Sequence, residues 1–152
     1  MKPTLFLRIA SVLTLIHSAL HTIGGVFGKP APGAAATTLE TMKTNAFPAM
    51  GMMRTYFDFL RGMGLAVTIF LTIEAIIFWQ LGTLAKTDAA RLRPIIATFL
   101  VAYLAMAVNS YAYFFLAPVV VETVIAICLG MAIVTAKAVE PAGTGQLATG
   151  RA

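Results

Sequence analysis

Four apolar blocks, residues 5–27, 57–81, 92–116 and 119–136, limit what this chain can fold into more than any other feature. A helix rises 1.5 Å per residue and a hydrocarbon core is about 30 Å thick, so roughly 20 apolar residues make one crossing. Each block is close to that length. The composition agrees, because 11% of the residues are charged where soluble domains carry about 25%. The expected fold class is all-α, an integral membrane four-helix bundle with a short interfacial helix in the first loop. Residues 1–138 form one four-span domain in this reading, and 139–152, with Pro141, Gly143, Gly145 and Gly150, form a polar, weakly ordered C-terminal tail.

A net charge of +5 would point to nucleic acid in a soluble chain, but the basic residues are scattered between apolar blocks and read as interface anchors. No nucleic-acid partner is expected; the expected partner is the lipid bilayer. Lys2 and Arg8 ahead of an apolar run resemble a secretory signal, yet that run has spanning length, so it is taken as a retained first span. Cys128 is the sole cysteine, deep in an apolar run, and reads as packing. Spans three and four, which meet at Ala117-Pro118 with no charge between them, should form a tight helical hairpin. Lys2, Arg8, Lys86, Arg91, Arg93, Lys137 and Arg151 on one side outnumber Lys29, Lys43, Arg54 and Arg61 on the other, which predicts cytoplasmic termini.

The loop 28–56 is more than a linker. Lys29-Pro30-Ala31-Pro32-Gly33 breaks the first helix, and Thr37-x-x-Glu40 fits a capping box, which predicts a short helix over 38–45. Phe47, Met50, Met52 and Met53 are costly to expose to water, so this stretch should lie along the membrane interface or plug the bundle mouth. A supporting contact and a lid are both open readings of it.

Lipid rejects polar side chains, so the face they share shows where protein lies. On the first helix Ala10, Ser11, Thr14, His17, Ser18, His21, Gly24 and Gly25 fall together, opposite Ile9, Leu13, Ile16, Leu20, Ile23 and Phe27. On the second, Asp58, Arg61, Leu65, Thr68 and Thr72 share a face, with Asp58 and Arg61 placed to form a local ion pair. The third offers Thr98, Ala102, Ala105, Asn109 and Tyr113, and the fourth Glu122, Ala126 and Gly130. With cytoplasmic termini, His21, Asn109 and His17 lie about 9, 10 and 15 Å below the outer helix ends. His17, His21, Asp58, Arg61, Asn109, Tyr113 and Glu122 are thus expected to line one cavity open to the outer leaflet, as ligand-binding candidates. Glu74 falls about 160° from Asp58 and is assigned to a homo-oligomer or membrane-partner contact, or else to a protonated, paired state.

His17 and His21, at i and i+4, are weak metal candidates, since a third ligand has to come from elsewhere. Haem normally takes His from facing helices, and both His here share one, so no cofactor is assigned. Acid and base catalysis on an apolar substrate is open to His17, His21, Asp58 and Glu122, with Asn109 and Tyr113 as donors. The bland alternative is that these side chains only hydrogen-bond across helices, at roughly 1 kcal/mol or less each.

The residues also carry a resemblance. His17-x3-His21-Thr22-x-Gly24-Gly25, Met42-Lys43, Phe47, Gly51, Arg54-Thr55-Tyr56-x-Asp58-Phe59 and Leu92-Arg93-Pro94-Ile95 resemble an uncharacterised family of small bacterial four-span membrane proteins, over residues 9–120. The resemblance implies a bacterial inner-membrane location and a shared topology, and it transfers no catalytic role. A looser likeness of fold joins the chain to sterol isomerases and sigma-2-type sterol-binding proteins, as an analogy only. Three function classes follow: a binder of a lipid or small hydrophobic ligand, an intramembrane isomerase or cyclase, and an accessory subunit of a larger membrane complex.

Overall fold

The structure is a computed structural model that describes residues 2–136. The tail 139–152, Lys137 and Arg151 lie outside the described residues. The all-α class holds. Helix α1 (Pro3–Leu20) runs into a π-helical segment (His21–Val26), followed by α2 (Ala34–Thr44), a pair of strands β1 (Ala46–Ala49) and β2 (Met52–Thr55), α3 (Tyr56–Leu84), α4 (Arg93–Tyr113) and α5 (Leu116–Thr135). Four helical stretches, Pro3–Val26, Tyr56–Leu84, Ala90–Tyr113 and Leu116–Thr135, are long and apolar enough to cross a membrane. The chain divides into two compact units, Ala10–Phe78 and the combination of Met1–Ile9 with Trp79–Ala152.

In the Ala10–Phe78 unit, α1 and α3 run antiparallel along a seam of hydroxyl groups. Ser11 Oγ donates to the Ala75 carbonyl at 2.6 Å, and Ser18 Oγ lies 3.1 Å from the Thr68 carbonyl and 2.9 Å from Thr72 Oγ1. Thr22 Oγ1 and Thr68 Oγ1 are 2.9 Å apart. Ala10, Ser11, Thr14 and Ser18 are buried while Ile16, Leu20 and Ile23 are exposed, so the predicted protein-facing side of the first helix holds over this stretch. Gly24 and Gly25 are exposed and depart from it.

The departure has a local cause. At the helix end the Phe27 N–H reaches the Thr22 carbonyl at 3.0 Å, a five-residue step, and Thr22 Oγ1 donates back to the Ser18 carbonyl at 2.7 Å. Paired glycines hold the α conformation weakly, so the turn widens. A Cβ on Gly28 would lie 1.9 Å from the Gly24 carbonyl oxygen, so only glycine fits where the chain leaves this turn.

The loop corrects two expectations. Helix α2 starts at Ala34, after Gly33 at φ 103°, and not near residue 38. Thr37 is therefore inside the helix, where its hydroxyl donates to the Gly33 carbonyl at 3.3 Å, and Glu40 pairs with Lys43 at 2.9 Å. The Ala34-Ala35-Ala36 run favours helix strongly enough to begin without a side-chain cap. After α2 come antiparallel strands, with Ala46 opposite Thr55 and Ala49 opposite Met52. Met50 and Gly51, both at positive φ, make the two-residue turn whose twist suits a hairpin. Met50, Met52 and Met53 are exposed there.

In the other unit α4 and α5 form the helical hairpin expected of spans three and four. The break falls at Phe114-Phe115, ahead of the expected Ala117-Pro118, because proline is accepted in the first turn of a helix and Phe115 is the extended residue. The far end is closed by Arg93, whose Nη2 donates to the Ala136 carbonyl. Ile96, Tyr103, Ala107 and Ser110 of α4 are buried, as are Glu122, Ile125, Ala126, Leu129 and Ala132 of α5. Cys128 is buried with them, a free thiol in a packed position.

Candidate functional site

The Ala10–Phe78 unit contains His17, His21, Asp58 and Arg61 of the predicted set. His21 Nε2 is 3.0 Å from the Gly64 carbonyl. A carbonyl only accepts, so that nitrogen carries the proton and serves the α1–α3 seam. Gly64 makes this approach possible, since a Cβ there would meet Val26 Cγ2 at 2.9 Å. His17, one turn earlier, is half-buried, and its Nδ1 is enclosed with no hydrogen-bond partner. With one ring nitrogen of His21 committed, chelation by the pair is restricted to the other. Among the described residues no group of three or more His, Cys, Asp or Glu comes together as a metal-ligand set.

Asp58 and Arg61 do not pair. The Asp58 carboxylate accepts from the Thr55 N–H at 2.8 Å and the Thr55 hydroxyl at 3.0 Å, while the Asp58 N–H donates to Thr55 Oγ1 at 3.1 Å. This reciprocal capping box starts α3 and holds the Asp58 carboxyl in a local helix-start role. The Arg61 guanidinium instead sits 5.0 Å from the Phe27 ring centroid. A three-residue spacing permits an ion pair, but the cap offers the acid three directed hydrogen bonds, two accepted and one returned through its own N–H.

The other unit contains Asn109, Tyr113 and Glu122. Glu122 is buried, 2% exposed, and its Oε1 accepts from Ser110 Oγ at 3.0 Å, while Oε2 is enclosed without a partner. Asn109 and Tyr113 are exposed, a correction to the expected polar stripe on the third span. The buried face of α4 is turned by about one residue, or 100°, from the expected stripe, because α4 is apolar nearly all round and buries Tyr103 and Ser110 in place of Ala102 and Asn109. Glu74 is half-buried and has an interaction within the chain.

A concave feature that the sequence reading missed lies in the Ala10–Phe78 unit. The widened turn and α2 enclose an open cleft of about 450 Å³, lined by Gly24, Gly28, Lys29, Pro30, Ala35, Thr38, Leu39 and Met42. Its lining combines the glycines with apolar Leu39 and Met42, and Lys29 and Thr38 supply polar side chains. The paired Gly24 and Gly25 near the helix end are the local sequence signal for such a turn. Comparison of the chain with protein-family models, with curated proteins and with solved structures found no match.

Proposed function

We propose that this four-span membrane protein binds a lipid-like amphiphile with an anionic head in the cleft between the π-helical turn and α2. The cleft itself carries the reading. Its volume of about 450 Å³ is in the range of small-molecule sites, and its lining pairs apolar Leu39 and Met42 with one cation, Lys29, and one hydroxyl, Thr38. In this reading the termini are cytoplasmic and the cleft opens on the outer side, within reach of lipid. His21 then anchors the helix end beside the cleft through Gly64. The enclosed, unpartnered Nδ1 of His17 favours a second reading, in which it acts as a base toward an apolar substrate.

The test uses Gly24, where an added Cβ meets nothing within 4 Å. Gly24→Leu should fill the cleft, lower bound lipid about tenfold by native mass spectrometry and leave the melting temperature near that of the parent. Lys29→Gln should weaken a fatty-acid probe and spare its alcohol analogue. An unchanged lipid complement in Gly24→Leu overturns the binding reading.

A further inference from the structure

Arg8 and Trp79 form a cluster in the other unit that the cleft does not involve. Arg8 is the sixth residue of α1 and Trp79 the sixth from the end of α3, so each lies about 8 Å in from its helix end. The Arg8 guanidinium carbon is 3.4 Å from the Trp79 ring centroid, and Arg8 Nη2 donates to Thr83 Oγ1 at 2.8 Å. Gly82 admits the side chain, since a Cβ there would meet Arg8 Nε at 3.2 Å. Trp79 and Thr83 lie one turn apart on α3, and Lys86 is exposed in the turn that follows its end at Leu84, its N–H donating to the Thr83 carbonyl at 3.2 Å.

Arg8 forms no ion pair among the described residues. Among the described residues the ion pairs are Lys43 with Glu40 and Arg91 with Asp88, so the acid next after Lys86 is already engaged. Nη1 is enclosed without an acceptor, and Thr83 is occupied both by Arg8 and by its own bond to the Trp79 carbonyl at 3.3 Å. Nη2, which donates one N–H to exposed Thr83, has a second to offer an acceptor from outside. Arginine stays charged, and a tryptophan face offsets only part of the loss of water. Tryptophan also favours the depth of the lipid headgroups, where phosphate is the abundant anion.

We propose that Arg8, held on Trp79, binds the phosphate of an anionic phospholipid headgroup at this membrane boundary, with Lys86 of the turn after α3 adding positive charge beside it. The guanidinium balances the single negative charge of one phosphodiester, the ammonium adds attraction for an anionic surface, and the indole packs on the adjoining glycerol and acyl carbons. The site shares no residue with the amphiphile cleft, and neither proposal depends on the other.

Trp79 is the sole tryptophan of the chain, so its fluorescence reports on this site alone. Purified protein in detergent would be titrated with micelles carrying phosphatidylglycerol or phosphatidylcholine, and separately with inorganic phosphate. The expected result is a saturable emission change with phosphatidylglycerol that added salt weakens, and little change with the other two. Arg8→Gln should weaken the response about tenfold and Lys86→Gln about threefold, the second being an exposed change that keeps the test valid if the first does not fold. Equal responses to both lipids overturn the proposal, as does a parent-like response in folded Lys86→Gln together with any folded Arg8→Gln. A full response to inorganic phosphate alone overturns the lipid source.

Discussion

The α1–α3 seam and the α4–α5 hairpin solve the same problem with different chemistry. Along the seam, Ser11, Ser18, Thr22 and His21 of the first span meet carbonyls and hydroxyls of α3, so polar contact is spread over several turns. In the hairpin, apolar and small side chains fill the contact and one polar pair, Ser110 with Glu122, is set within it. Lipid supplies no hydrophobic drive between helices, so close backbone approach and hydrogen bonds must do this work. A distributed seam tolerates the loss of one bond, whereas a single buried carboxylic group concentrates the cost of losing its partner.

The largest effect should come from closing the approach that the seam needs. Gly64→Ala sets a Cβ 2.9 Å from Val26 Cγ2 and should cost about 2 kcal/mol, while Gly130→Ala in α5, which meets nothing within 4 Å, should cost nothing. Thermal unfolding in detergent would read the pair. Equal losses at the two glycines would break the contrast between the regions.

Next in size is the difference between single bonds. Ser110→Ala leaves both Glu122 oxygens without a partner and should cost about 1–2 kcal/mol, and the double change with Glu122→Leu should cost less than the sum of the two. Ser18→Ala removes one rung of the seam and should cost about 0.6 kcal/mol. Equilibrium unfolding of the four proteins would rank them, and a Ser18 loss as large as that at Ser110 would mean the seam is no more distributed than the hairpin.

The smallest expected quantity is a coupling of zero. Asp58 is tied to Thr55 and Arg61 to Phe27, so Asp58→Asn and Arg61→Gln should add without interaction in a double-mutant cycle. A measurable coupling would restore the ion pair that their spacing suggested.

The two regions also differ in how far their residues could be read in advance. Ser11, Thr14 and Ser18 alternate with Ile9, Ile16 and Leu20 at helical period, so the first helix declares its buried side. Helix α4 gives no such contrast, and choosing its small and polar residues selected Asn109 and Tyr113 over Ser110 and Tyr103. Thr37-x-x-Glu40 and Thr55-x-x-Asp58 are the same kind of signal at the residue level. The second one caps a helix and the first does not, because three alanines had already carried α2 past its start.

The sequence by itself determined the solvent, the number of spans and the protein-facing side of the first of them. Those follow from block length and from the free energy of putting a hydroxyl or imidazole against lipid, both local properties of the chain. Tertiary structure alone decided the widened turn at His21–Val26, the cleft beneath α2, the rotation of α4 and the stacking of Arg8 on Trp79. Each of these depends on how closely residues far apart in sequence can approach, Gly64 to Val26 or Gly82 to Arg8, and that distance is set by the packed surfaces of both partners.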